Sequence, residues 1–257
     1  MGKKWITFDL DGTLMQNPFA KWVFPEIEEI VAQEGYRGIR HELVEEHRQR
    51  MRAGAVVEAY DWDDILRDVC RRNGLSVEIS VEQLVQKHAA PAKVYLLERD
   101  VLEVLRILRK NGYTLAAVTN GFYHYQKPVM DVLGLTAFFD TVITPDRSGY
   151  GKPQIEMVKS LQGAGDRIIA HVGDRIDHDV IFANELGILS VFFYRNMTGF
   201  VRKVPPEMRN KQEECLAYFR WKWRQETEED DWKFPLTGVP DVVVYTMNEL
   251  VAQLRLA

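Results

Sequence analysis

The chain has 257 residues, 46% of them hydrophobic and 28% charged, enough apolar mass for one large core, or a core plus a small second domain, and too much for disorder. A net charge of -5 leaves no basic field of the kind that nucleic-acid phosphates require, so nucleic acid is excluded as a partner. The two cysteines, Cys70 and Cys215, show neither disulfide nor zinc spacing, which predicts a reducing cytoplasm, and no run approaches the roughly 20 apolar residues that span a bilayer.

In chain order, Met1-Gly2-Lys3-Lys4 is followed by an apolar run that Asp9 and Asp11 cut before an export signal can form. Trp5-Ile6-Thr7-Phe8 is a β-prone run ending at Asp9-Leu10-Asp11-Gly12-Thr13, as a buried first strand does when it releases polar residues at its carboxyl end. From about residue 24 to 97 the periodicity turns helical, with Glu and Arg abundant and breaks at Gly35, Gly38, Gly54, Asn73-Gly74 and Ala90-Pro91-Ala92. About three to five helices fit there. A βα rhythm then resumes: a helix from Val101 to Asn111-Gly112, a strand from Tyr113 to Val118, and a helix to about Leu133. Strand 141–144, a helix over about 154–161, strand 168–172, a helix over 180–186 and strand 188–193 follow. Residues 196–240, rich in Trp, Arg, Glu and Asp, interrupt this rhythm and predict an insertion with one helix. Strand 241–245 and a helix over 247–254 close the chain. The alternation predicts an α/β protein with a parallel sheet covered on both faces, whose ligands bind beyond the carboxyl ends of the strands, where Asp9, Thr119 and Asp174 fall.

Phe8-Asp9-Leu10-Asp11-Gly12-Thr13-Leu14 puts two carboxylates two apart at a strand end, where alternation sends both to the same side. That arrangement suits a hard cation and a displacement reaction. The whole string resembles the first motif of the haloacid dehalogenase superfamily. Val118-Thr119-Asn120-Gly121, Gly151-Lys152-Pro153 and Gly173-Asp174 through Asp179 resemble its second, third and fourth motifs, in family order and over nearly the whole chain. The one departure is Arg175, where many relatives carry Ser.

The resemblance implies a Rossmann-like core with an inserted all-helical cap: residues 1–16 and 98–257 as a discontinuous catalytic core, with 196–240 inserted in it, and 17–97 as the cap. It also implies a phosphatase whose Asp9 attacks phosphorus and whose Asp11 serves as acid and then base. The halide-releasing members resemble this motif but lack the second Asp. Thr119, Asn120 and Gly121 are implied to hold the phosphoryl oxygens with Lys152, which also pairs with the nucleophile. A magnesium ion is implied on Asp9, Asp11, Asp174 and Asp179, with Asp174 the more direct ligand and Asp179 orienting waters or Lys152. Asp177 reads as a solvated or capping acid, and His178 as a polar residue at a helix start. A cap excludes bulky substrates, so the expected partner is a small phosphorylated metabolite. Arg37, Arg40, His41, Arg48, Arg50 and Arg52 are its candidate contacts in the cap, although such charge runs more often face solvent. The aromatic insert is either a homodimer surface or an extra layer over the core. A phosphomutase and a non-catalytic scaffold are the alternative readings. A receiver domain is disfavoured by the large insert and Asp11.

Overall fold

The computed structural model describes residues 2–163 and 165–254. Six parallel strands form one sheet: β1 (Lys4–Phe8), β4 (Thr114–Val118), β5 (Thr141–Ile143), β6 (Arg167–Gly173), β7 (Leu189–Phe193) and β8 (Val242–Val244). They lie in the order β5-β4-β1-β6-β7-β8. Strand interiors such as Ile6, Phe8, Leu115, Ala117 and Val172 have no exposed surface, because a parallel sheet is covered on both faces and its strands read as continuous apolar runs. Phe8 stands beside Ala117 on one side and Val172 on the other. This register brings Asp9, Thr119 and Asp174 to one edge, at the point where the connections leave β1 in opposite directions.

Between β1 and β4 the chain builds four helices, α1 (Phe24–Gln33), α2 (Ile39–Arg52), α3 (Trp62–Arg72) and α4 (Val81–His88). Local chemistry sets their ends. Asp61 accepts from the Asp64 N–H and Ser80 from the Gln83 N–H as N-caps, while α3 stops at Asn73 before Gly74, whose φ of +66° suits glycine. The helices bury Ile27, Val31, Leu43, Ile65, Val69 and Val85 in the core. A two-stranded antiparallel ribbon, β2 (Met15–Gln16) with β3 (Tyr95–Leu96), ties the points where the chain leaves the sheet layer and returns. Two residues per strand carry too little alternation to be read in advance.

The remaining helices are α5 (Val101–Lys110), α6 (Tyr123–Val132), α7 (Pro145–Ser148), α8 (Ile181–Glu185), α9 (Glu213–Thr227) and α10 (Met247–Leu254). Two segments depart from expectation. Residues 155–161 wind as a 3-10 stretch, the tighter form common in short connectors, so Pro153 precedes the winding and does not open it. Winding before α8 begins at Ile176 with a π turn, because Glu226 of α9 accepts the Ile176 and Asp177 N–H groups at 2.8 and 3.2 Å, a cap supplied from fifty residues away.

The aromatic insert folds as a layer over the sheet end. Cys215, Phe219 and Trp223 of α9 pack with Phe192, Val243 and Ile176, while Trp221 and Trp232 stay exposed. The layer is held by Arg209, which is 1% exposed. Its guanidinium donates to the carbonyls of Val201, Arg202, Val204 and Val243, and makes a bidentate pair with Glu249 at 2.7 Å for each bond. Among the described residues no helix is long and apolar enough to cross a membrane.

Candidate active site

Asp9 follows the last residue of β1, and its N–H donates to Val172 O at 2.9 Å, which locks it to β6. Its carboxylate is shared out at once. Lys152 Nζ donates to Asp9 Oδ1 at 2.7 Å and to Asp179 Oδ1 at 2.5 Å, and Thr13 Oγ1 donates to Asp9 Oδ2 at 3.2 Å and to Asp174 Oδ1 at 3.3 Å. Five motif residues thus meet at one point, all buried or half-buried.

Asp179 is saturated by protein donors. Its Oδ1 takes Lys152 and lies 3.1 Å from His171 Nε2, and its Oδ2 accepts the N–H groups of Asp174 and Arg175 at 3.1 and 3.0 Å. Gly173 must be glycine for this, since a Cβ there would come within 2.1 Å of the Asp179 carboxyl carbon. Asn120 is occupied too. Its amide clasps the Lys152 backbone from both sides, accepting from Lys152 N at 2.7 Å and donating to Lys152 O at 3.0 Å. Thr119 Oγ1 accepts from Gly121 N and from Gln126 Nε2, each at 3.3 Å.

Gln126 also donates to Asp11 Oδ2 at 2.6 Å, orienting that carboxyl from the first turns of α6. Asp11 Oδ1 is buried and has no hydrogen-bond partner among the described residues. Gly12, at φ +82°, lets the loop turn under the Asp174 carboxylate, which a Cβ would meet at 2.7 Å. Arg195 at the end of β7 clamps the same loop through the Gly12 and Thr13 carbonyls.

The Lys152 ammonium is shared by the Asp9 and Asp179 carboxylates, with the Lys222 ammonium near Asp174, and the electrostatics follow. Burial pushes Asp9 up to about 8; Asp179 and Asp174 add to this and Lys152 opposes it. Burial acts on Asp179 in the same direction, but Lys152 and His171 outweigh it and hold that carboxyl well below the usual range. Burial also raises Asp11, against the amides of Gln126 and Asn17, and raises Asp174. Carboxylate oxygens of Asp9, Asp174 and Asp179 lie within 4.8 Å of one another. An oxygen-only set that is short of positive charge fits a hard divalent cation. His178 is buried beside Asp177, 3.4 Å from its Oδ2, and burial, with Arg175 and Lys152 nearby, pushes it down to about 4.

A cavity of about 350 Å³ opens above these groups. Its far wall is aromatic: Phe19, Phe24, Tyr60 and Trp62 from the helical cap, with Tyr125 from α6. The cap's candidate cations do not line it. Arg50 pairs with Glu46, Asp64 and Asp68, and Arg48 and Arg52 pair with Glu228 of the insert. Arg40 lies over the Phe24 ring, and Arg37 and His41 are exposed. Lys222 and Glu226 of α9 do line the cavity, 3.0 Å apart, with Lys222 Nζ 3.8 Å from Asp174 Oδ2. Sequence reasoning missed Gln126, His171, Lys222, Glu226 and the aromatic wall. Each reaches the site through the fold and carries no motif spacing. Thr13 lay inside a recognised motif and its hydroxyl was readable there.

Residues 3–187 match the sequence model of the family described as haloacid dehalogenase-like hydrolase. A "Glyceraldehyde 3-phosphate phosphatase" of Methanocaldococcus jannaschii is 36% identical over 93 residues, 35% of this chain and 41% of the relative, so less than half of that relative's length is matched. A "Probable phosphatase IndB" of Dickeya dadantii is 26% identical over 195 residues, 74% of this chain and 80% of its own. In structure, a HAD phosphatase from Thermococcus onnurineus superposes with a TM-score of 0.66 at 22% identity, covering 98% of this chain and 97% of its own, which shows the shared fold.

Proposed function

We propose, from the premise that this chain belongs to the haloacid dehalogenase-like hydrolase family, that it hydrolyses a small phosphomonoester through an aspartyl-phosphate on Asp9 with magnesium. The observation that carries the reading is the pairing of a buried carboxylate held by Lys152 with a second, separately oriented carboxyl, Asp11, in one small cavity. A single carboxylate would suffice for binding; two with distinct partners suit a nucleophile and a proton donor.

In the first displacement an Asp9 oxygen attacks phosphorus, the bond from phosphorus to the leaving oxygen breaks, and that oxygen takes the Asp11 proton. Burial, which raises Asp11 above the ordinary carboxylate range, favours its protonated form. In the second, water attacks phosphorus and gives a proton to Asp11, the Asp9–phosphorus bond breaks, and inorganic phosphate leaves. Lys152 offsets charge on the phosphoryl oxygens, and Thr119 and Gly121, which line the cavity, bind those oxygens once the bond between them gives way. Asn120 acts by holding the Lys152 backbone, and Asp179 by holding its ammonium. Magnesium would be held by Asp9 and Asp174 together with the Asp11 backbone carbonyl, with Asp179 behind them, and would supply charge neutralisation at the phosphoryl group. Ionising Asp9 calls for more positive charge than Lys152 alone provides. The free, buried Cys70 and Cys215 accord with a reducing cytoplasm.

The test is phosphate release from a panel of small phosphomonoesters with magnesium, comparing wild type with Asp9→Asn. Release is expected from wild type and a loss of at least about a thousandfold in the variant. Retained turnover in Asp9→Asn would remove the mechanism, and no release from wild type on any compound would move the assignment to a phosphomutase or a non-catalytic scaffold.

A further inference from the structure

The cavity has two unlike walls, and their chemistry bears on what the leaving group is. On the sheet side stand the carboxylates with Lys152, Arg175 and Lys222. On the cap side Phe19 lies 5.6 Å from Phe24, 6.0 Å from Trp62 and 5.7 Å from Tyr125, and Phe24 lies 5.1 Å from Trp62. Tilted and edge-to-face contacts of this kind hold rings firmly in place. Trp62 opens α3 and is only partly buried, and its far side stacks on His47 at 5.2 Å and 24°.

Every cation among the described lining residues already has a carboxylate. Arg175 is bidentate to Asp177 at 2.9 and 2.7 Å, Lys222 is bound to Glu226, and Lys152 lies between Asp9 and Asp179. Of the arginines of α2 that the sequence offered as substrate contacts, Arg48, Arg50 and Arg52 are paired elsewhere, and Arg40 lies over the Phe24 ring without lining the cavity. A second carboxylate or phosphate on the substrate would therefore be desolvated against aromatic rings or would have to break a standing ion pair, and either is costly.

Building on the phosphatase reading, we infer that the leaving group is uncharged and lays a flat apolar face, an aromatic ring or the C–H face of a monosaccharide, on the wall formed by Phe19, Phe24 and Trp62. About 350 Å³ is at the small end of ligand cavities, and the phosphoryl group takes up a share of it. A single ring with its phosphoryl group fits that volume. Trp62 is the specificity-determining residue, since it lines the cavity, is only partly buried and is the largest ring of the wall.

The test measures kcat/KM of the magnesium-loaded enzyme on four esters whose leaving groups are all alcohols: benzyl phosphate, glucose 6-phosphate, 2-phosphoglycolate and fructose 1,6-bisphosphate. The better of the two uncharged leaving groups is expected to exceed both anionic ones by at least about tenfold, and benzyl phosphate against glucose 6-phosphate tells the aromatic source from the sugar. Trp62→Ala is expected to raise KM for the preferred ester by about tenfold with kcat little changed, the loss of one ring contact, and Trp62→Phe to restore most of it. Should Trp62→Ala fail to fold, Phe19→Leu is expected to show the same KM effect. Phosphoglycolate or the bisphosphate matching the uncharged esters would overturn this inference while leaving the phosphatase reading intact, as would a Trp62→Phe variant whose KM is no better than that of Trp62→Ala. Absence of release from all four would overturn both.

Discussion

Replacing Asp9 by Asn should stabilise the metal-free protein while abolishing its activity. One Lys152 ammonium lies between Asp9 and Asp179, at 2.7 and 2.5 Å, and Asp179 also accepts the N–H groups of Asp174 and Arg175, with His171 Nε2 3.1 Å away. Asp9 is left buried beside like charges and is pushed up from an ordinary carboxylate to about 8. A folded-state value above the unfolded one means that stability is fully present below about pH 4 and is lost as pH rises through about 8. Between an ordinary 3.8 and pH 7 that loss reaches a ceiling of about 4 kcal/mol. Asn has the same shape, accepts from Lys152 through its amide oxygen and never ionises, so it escapes the penalty. Urea unfolding followed by circular dichroism at pH 6, 7 and 8 in EDTA is expected to place Asp9→Asn above wild type. The gap should widen with pH by up to about 1.4 kcal/mol per unit and shrink when magnesium is added, because a cation relieves the same repulsion in wild type. A variant less stable than wild type by more than about 1 kcal/mol in EDTA, or a gap that does not widen with pH, would refute the reasoning.

Arg209→Met should destabilise the chain by about 3–5 kcal/mol, because it leaves Glu249 and the carbonyls of Val201, Arg202, Val204 and Val243, buried or part-buried, without their donor, and near-UV circular dichroism should report loosening of the aromatic insert; a thermal midpoint within a degree of wild type would contradict this. His178, pushed by burial to about 4, must stay neutral for the chain to fold, so stability is full above about pH 6.5 and is lost as pH falls toward 4, by up to about 3 kcal/mol. His178→Gln should flatten that part of the stability profile, and an unchanged slope would show that another group titrates there.

The sheet and the motif positions were legible because they depend on local signals. The Trp5–Phe8 run, followed at once by Asp9, marks a buried strand end, and the recurring strand-helix alternation sets the parallel order that brings Thr119 and Asp174 alongside it. The helix breaks at Gly35 and Gly74 were visible for the same reason, since both sit at positive φ just after a helix. What was not legible depends on distant partners. Glu226 starts the winding at Ile176 from fifty positions away, Gln126 orients Asp11 across 115, and the Arg209–Glu249 pair spans forty. The aromatic wall belongs to this class too. Phe19, Phe24 and Trp62 read as ordinary core residues in a helical stretch, and only the fold puts their rings in one cavity with the carboxylates. The charge-rich face of α2 drew attention as a substrate contact because charge is conspicuous in a sequence, yet Arg48, Arg50 and Arg52 are satisfied by neighbours on α3 and the insert.

The most direct test of covalent catalysis by Asp9 is a rapid-mixing assay of Asp11→Asn with p-nitrophenyl phosphate and magnesium. This leaving group departs without a proton, so attack by Asp9 proceeds while hydrolysis of the aspartyl-phosphate, deprived of its base, lags. The account predicts a burst of about one p-nitrophenolate per active site, followed by slow turnover, and no burst in Asp9→Asn. A linear trace in Asp11→Asn, or a burst that survives in Asp9→Asn, would contradict it.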